Sequence, residues 1–192
     1  MTGLVILAAG QSSRLGQPKQ NLLYKGKTLL QHALVAATGS GCQPIVLVLG
    51  AHTAAIEPGI EGHAIQVIHN ADWPEGMASS IRAGIIQLQQ NPEVDSALMM
   101  LCDQPFANAQ LLTSLLNKRQ ETGKGIIACT YNGTAGVPVL FDRQYFTELL
   151  SLKGHEGAKK LLARYADDTT LVDFAHGGVD IDTMEDYEGL VG

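Results

Sequence analysis

The sequence predicts an α/β protein built on a mostly parallel sheet, and three observations carry that expectation. Short apolar runs such as Leu4-Val-Ile-Leu7 and Pro44-Ile-Val-Leu-Val-Leu-Gly50 alternate with longer stretches of helical spacing. That is the order of βα units whose strands are covered on both faces. The first run opens into a loop of small residues at the carboxyl end of a strand, the place where open α/β sheets bind ligands. Finally, 192 residues with 45% hydrophobic and 17% charged content suit one folded domain, residues 1–192, with a sizeable core.

The elements follow in order. Leu4–Leu7 is the first strand. Thr28-Leu-Leu-Gln-His-Ala-Leu-Val-Ala-Ala has helical spacing and stops at Gly39 and Gly41, where glycine terminates helices. Pro44–Gly50 is a buried strand and Ile65–Ile68 a shorter one. A helix is expected over Gly76–Gln90 and a buried strand over Ser96–Cys102, halted by Asp103-Gln-Pro105. Asn108 is placed to cap a helix reaching Gln120. Gly125–Thr130 is a strand, Gly133–Gly136 a turn, and Pro138–Phe141 a short strand at an irregular place. Helices around Arg143–Leu150 and Glu156–Tyr165, a strand near Leu171–Phe174 and a short helix ending the tail Asp180–Leu190 complete the pattern. No internal repeat, low-complexity tract or Pro/Ser-rich linker interrupts it.

The net charge of −6 argues against a general affinity for nucleic acid, so an anionic ligand has to be met by local cations. Cys42, Cys102 and Cys129 are far apart and show no CxxC spacing. A structural zinc or a disulfide framework is therefore not expected, and a reducing cytoplasm is the natural compartment. No basic stretch precedes the first apolar run, and no segment is long enough to span a bilayer; neither a secretory signal nor a membrane partner is expected. The six histidines show no HExxH or paired spacing, which leaves no histidine-based metal motif.

The loop Ala8-Ala-Gly-Gln-Ser-Ser-Arg-Leu-Gly-Gln-Pro-Lys19 combines small residues with two cations, Arg14 and Lys19. Small side chains let backbone N–H groups approach an anion, and the cations offset its charge. A polyphosphate cradle follows. It is not a P-loop, since no Gly-Lys-Ser/Thr stands at the required spacing. Gly10 and Gly16 also miss the GxGxxG fingerprint of dinucleotide-binding folds.

The string Leu7-Ala-Ala-Gly-x-x-x-Arg-x-Gly-x-x-Lys19 resembles the signature of the nucleotide-sugar type of nucleotidyltransferases, and most closely the cytidylyltransferases and related enzymes of molybdenum cofactor maturation. Matching segments recur along nearly the whole chain. The resemblance implies a three-layer αβα Rossmann-like sandwich with a mostly parallel mixed sheet, in the nucleotide-diphospho-sugar transferase-like arrangement. It also implies Mg²⁺ as cofactor, a nucleoside triphosphate and a phosphorylated small-molecule acceptor as substrates, and a molybdoenzyme as a possible partner.

Residue by residue, the resemblance places the nucleotide against Leu7, Ala8, Ala9, Gly10, Ser12, Ser13, Arg14 and Lys19, with further contacts at Gly76 and Ser80. It makes Arg14, Lys19 and Asp103 catalytic. In Met99-Met-Leu-Cys-Asp-Gln-Pro105 a hydrophobic strand delivers Asp103 at its carboxyl edge, and such a carboxylate is a hard ligand suited to Mg²⁺. Val179-Asp-Ile-Asp-Thr-Met-Glu-Asp186 resembles the family's "DIDTPED" segment; Asp182 would complete the metal site. In the same segment Thr183 can cap a helix whose first turn carries Glu185 and Asp186, while Asp180, Glu185 and Asp186 read as mostly structural. Arg82 reads equally as a phosphate ligand and as a surface residue. Trp73 is more often packing than a stacking platform.

Gly136-Val-Pro-Val-Leu-Phe141 and Lys153-Gly-His-Glu-Gly-Ala-Lys159 match segments that line the acceptor side in the family. They depart from it at Val137, which replaces a polar residue, at His155-Glu156, and at Lys159, which replaces Arg. His155 reads either as a phosphate or pterin contact or as a solvated loop residue. The implied chemistry is attack of an acceptor phosphate on the α-phosphorus of a nucleoside triphosphate with release of pyrophosphate. Such chemistry needs positioning and charge neutralisation more than a proton-transfer residue. The β-carbon of Ala9, where guanylyl-transferring relatives have glycine, narrows the base pocket and favours CTP. A sugar or alcohol phosphate as acceptor, and a non-catalytic cofactor carrier, remain the alternatives.

Overall fold

The computed structural model describes residues 1–60 and 62–192. In chain order the elements are β1 (Thr2–Ala8), a hairpin of β2 (Leu23–Tyr24) and β3 (Lys27–Thr28), α1 (Leu29–Gly39), β4 (Ile45–Leu49), a short α2 (Thr53–Ile56), β5 (Gln66–His69) and α3 (Met77–Gln89). Then come β6 (Ser96–Leu101), α4 (Ala109–Thr122), β7 (Ile126–Tyr131), β8 (Thr134–Asp142), α5 (Phe146–Leu150), α6 (Lys159–Arg164), β9 (Thr169–Asp173) and α7 (Met184–Val191).

Seven strands form one sheet in the order β5-β4-β1-β6-β8-β7-β9. β5, β4, β1 and β6 are mutually parallel, and β8 runs antiparallel to both of its neighbours. This is the mostly parallel mixed sheet that the sequence predicts. The uninterrupted apolar strands have a physical reason. Leu4, Ile6 and Ala8 of β1 pack with α1 and α4 residues such as Leu30, Leu34, Leu112 and Leu115 on one face. Val5 and Leu7 point to the other face, among Ile81, Ile85 and Leu88 of α3, Phe146 and Leu149 of α5, and Leu161 and Leu162 of α6. With water excluded from both faces, the central strands are apolar along nearly their whole length. Three layers result.

Asn108 caps α4, its side chain accepting from Leu111 N at 2.9 Å. Thr183 caps α7, as the sequence suggests, and Asp186 returns the bond to complete a reciprocal capping box. Thr28 does the same for α1 with Gln31.

One element lies outside the expected pattern and two expectations need correction. The β2–β3 hairpin stands between Lys19 and the first helix. Its two-residue turn, Lys25-Gly26, has both φ angles positive (46° and 79°), the geometry that favours tight hairpins. The turn expected over Gly133–Gly136 contracts to Asn132-Gly133, with φ of 50° and 73°, and Gly136 pairs with Cys129 inside a nine-residue β8. Asn-Gly is itself the stronger hairpin signal. The helix expected over Glu156–Tyr165 is shortened to Lys159–Arg164, behind a bend at Gly154 with φ 57°.

Candidate active site

The chain passes from β1 to β4 on one side of the sheet and later returns to place β6 on the other, so β1 and β6 flank the point where strand order reverses. Leu7 is in register with Leu101, which sets the loop after β1 beside Asp103, two residues beyond β6. A crevice outside the carboxyl ends at such a point is where doubly wound sheets bind ligands. A cavity of about 370 Å³ opens there, walled by Leu7, Ala8, Ala9, Gly10, Lys19 and Asp103 on one side and by Trp73, Gly76, Met77 and Ser80 on the other.

The loop folds back on itself through Ser12, whose φ is 53°. The Ser12 carbonyl accepts from Leu15 N at 3.0 Å, and its hydroxyl accepts from Lys19 N at 3.1 Å. Leu15 is buried in a small satellite core with Leu22, Tyr24, Leu29 and Ile181. Next to Lys19, Gln20 is wholly buried and donates from Nε2 to Ala8 O at 2.8 Å. Gln20 is thereby tied to the end of β1 and Lys19 to the loop that follows it.

Lys19 Nζ donates to Asp103 Oδ2 and, at 2.8 Å, to Asp182 Oδ1. Asp182 arrives from the far end of the chain because Ile181, fully buried, donates its N–H to Asp103 O at 3.2 Å. Arg14 is exposed and reaches the other Asp182 oxygen at 3.5 Å. Lys19 and Asp103 are nearly buried, with side-chain exposures of 14% and 10%, whereas Asp182 is half exposed. Burial works against the Lys19 ammonium, but the Asp103 and Asp182 carboxylates outweigh it and hold its pKa above the ordinary lysine value.

One oxygen of this trio, Asp103 Oδ1, is buried without any hydrogen-bond partner. A buried unpaired carboxylate oxygen is costly. Two hard carboxylates meeting at one point, one with an unused oxygen, fit a divalent cation that takes its remaining ligands from phosphate oxygens and water. Among the described residues no group of three or more His, Cys, Asp or Glu is placed to hold a metal, so a cation here would depend on Asp103, Asp182 and the substrate.

The opposite wall is held by specific contacts. Asn70 Nδ2 donates to the hydroxyls of Ser79 (2.8 Å) and Ser80 (3.0 Å), which leaves the Ser80 proton free to be donated. Gly76 has φ 122°, and a β-carbon there would lie 2.5 Å from Gly154 O. Arg82 pairs with Glu75 through Nη1–Oε1 at 2.8 Å and also donates to Leu152 O. Glu75 accepts in addition from Gly154 N at 3.1 Å, and the Arg82 contact pulls its pKa down to about 2. Arg82, read from sequence either as a phosphate ligand or as a surface residue, here ties Glu75 to Leu152 O at the edge of α3.

A second cavity of about 370 Å³ adjoins the first and shares Leu7, Met77, Leu101 and His155 with it. Its walls are largely apolar, with Tyr131, His155, Lys159 and Asp180 as polar groups and Val137 among the lining. Loss of hydration and the nearby carboxylates of Asp103 and Asp182 raise the Asp180 pKa to about 6. Burial likewise pushes the Cys102 thiol up to about 12, which removes it as a nucleophile at neutral pH.

The structure therefore gathers Leu7, Ala8, Ala9, Gly10, Lys19, Gly76, Ser80 and Asp103 around one cavity, with Asp182 joined to it through Lys19. Ser12 braces Lys19 from behind, Arg14 flanks Asp182, and Ser13 is an exposed loop residue outside the cavity wall. Sequence reasoning missed Gln20, whose Oε1 is buried and unpartnered, and Asp180, which faces the second cavity. The only signal for Gln20 was a polar residue sitting next to the loop lysine.

Fold and site together define the class, an α/β nucleotidyltransferase. Residues 4–169 match the MobA-like NTP transferase domain, and the chain belongs to that family. Nicotine blue oxidoreductase of Paenarthrobacter nicotinovorans is 30% identical over 97% of this chain and 95% of its own length. Molybdenum cofactor cytidylyltransferase of Escherichia coli K12 is 24% identical, with 95% and 92% covered. The crystal structure of Rv0371c from Mycobacterium tuberculosis superposes with a TM-score of 0.84 at 30% identity, covering 99% of this chain and 96% of that one. A structure of Rv0371C in complex with manganese matches at 27% identity with a TM-score of 0.79, over 99% and 97% of the two chains.

Proposed function

We propose that residues 1–192 act as one nucleotidyltransferase domain that moves CMP from CTP to the phosphate of molybdopterin and releases pyrophosphate. The observation that carries this reading is the meeting of Lys19, Asp103 and Asp182 at the mouth of a glycine-bearing loop, with an unused buried carboxylate oxygen pointing to a cation. A relative that contains manganese supports a divalent metal, and we assign the role to Mg²⁺ held by Asp103 and Asp182. When bound, the metal neutralises charge on the transferring phosphoryl group.

The chain's own residues do the rest. Backbone groups of Ala8–Ser13 hold base and triphosphate, while Gly76 and the Ser80 hydroxyl face the nucleoside from the opposite wall. Arg14 and Lys19 bind phosphates, with Lys19 stabilising charge that develops at the α-phosphoryl group. The acceptor occupies the second cavity, its body against Met77, Met99 and Val137 and its phosphate towards Lys159 and His155. An acceptor phosphate is already ionised at neutral pH, so the site needs no strong general base. The Ala9 β-carbon narrows the base side, which supports a pyrimidine. The three cysteines are free and buried, in keeping with a reducing cytoplasm.

The test is a pyrophosphate-release screen of CTP, GTP, ATP and UTP against molybdopterin and a set of sugar and alcohol phosphates. Release confined to CTP with molybdopterin is the expected result. Release with a sugar phosphate alone reassigns the acceptor, and cofactor binding without any release overturns the enzymatic reading.

A further inference from the structure

In this structure an ammonium group stands where a divalent cation would need two carboxylates. Lys19 Nζ bridges Asp103 and Asp182, and among the described residues no other cation pairs with Asp103. A dication brought to the same two carboxylates meets a lysine charge held almost out of water, and like charges in such a place repel strongly. The lysine is also free to leave. Its main chain is fixed by the Ser12 hydroxyl and by a short 3-10 turn over Lys19–Asn21, but its four-carbon stem is flexible. The same residue lines the cavity beside Ala8–Gly10, so it can turn towards a phosphate chain without main-chain movement.

Resting on the metal and nucleotide roles proposed above, we infer that Lys19 is a placeholder for the cation. It holds Asp103 and Asp182 together before substrate arrives and yields the position once a triphosphate offers it a partner of higher charge. Metal and nucleotide therefore load together, and the nucleotide-free protein binds metal weakly by construction. One residue serves two states: it pre-assembles the carboxylates and later neutralises phosphate.

The inference makes a counter-intuitive demand, that removing a catalytic lysine improves metal binding. Mn²⁺ alone is titrated against the full-length, nucleotide-free chain, and free Mn²⁺ is followed by its electron paramagnetic resonance signal. The proteins are wild type, Lys19→Met, Lys19→Gln, Lys19→Arg and the double variant Lys19→Met with Asp103→Asn, each checked for a cooperative melt. Lys19→Met and Lys19→Gln are expected to bind Mn²⁺ about tenfold more tightly than wild type, the scale of one charge-assisted hydrogen bond removed from competition. Lys19→Arg should stay near wild type, and the double variant should lose the gain. If both neutral variants bind Mn²⁺ no more tightly than wild type while binding still depends on Asp103, the placeholder role is wrong and the metal reading stands. If no protein shows Asp103-dependent binding the placeholder role is wrong, and if none appears in the same titration with CTP present the metal reading falls with it.

Discussion

The two cavities share a wall and a size, yet they are built differently. The first is made at the ends of β1 and β6, from loop backbone and a partly buried charge trio whose members come from three distant segments. The second is walled by residues of α3, β6 and β8 and of the segment from His155 to Lys159, with its polar groups contributed by separate segments. The first site therefore fixes charge in one place, as transfer of a phosphoryl group requires. The second excludes water over a broad surface and fixes little. On the function proposed above, such a division keeps the chemistry in the first cavity and lets the second vary with the acceptor.

The largest break in this contrast should come from Asp103→Asn. Removing one carboxylate charge from the trio is expected to lower turnover about 10³-fold, measured as pyrophosphate release. Acceptor binding, followed by fluorescence or calorimetry, should stay unchanged because Asp103 lines only the first cavity; a parallel loss of acceptor affinity would show that the two sites are one. Gly76→Ala comes next. Its positive φ and the 2.5 Å approach to Gly154 O give an expected destabilisation of about 3 kcal/mol by denaturant unfolding. The seam between the cavities should loosen with it. Smaller again is Lys159→Met, expected to raise the KM for the phosphorylated acceptor about tenfold with the nucleotide KM unmoved.

Much of the first cavity was legible in the sequence, and less of the second. The loop from Ala8 to Lys19, the strand delivering Asp103 and the capped helix after Asp182 each carry local signals: small residues, an apolar run cut by an acid and a proline, and a Thr-Asp capping box. Those signals also fixed the parallel core, since strands covered on both faces write themselves as unbroken apolar runs. The trio was legible only through the family resemblance, because Ile181 donating to Asp103 O is a tertiary contact with no local signature. Gln20 and Asp180 were missed for the same reason. Gln20 matters through the hydrogen bond it makes to Ala8 O, and Asp180 through the carboxylates it comes to face. The second cavity depends on β8 running its full nine residues, which the turn residues Asn132-Gly133 decide and an expected loop over 133–136 obscured.

The seam offers the gentlest test. Glu75 accepts from both Arg82 and Gly154 N, so it ties the turn before α3 to the segment carrying His155. Its pKa lies at about 2 in the folded protein, below the ordinary value of 4.5. A carboxyl lowered in this way contributes stability that is complete above the unfolded value and is lost as pH falls through the folded one. Glu75→Gln should therefore melt below wild type at pH 7, and the gap should shrink as pH is lowered from 5 towards 2. The carboxyl is exposed and the pair is screened, so the gap should also narrow in high salt. A gap independent of both pH and salt would mean that Glu75 acts by shape alone. The 154–157 segment would then be held by Gly76 and Ala78 N rather than by charge.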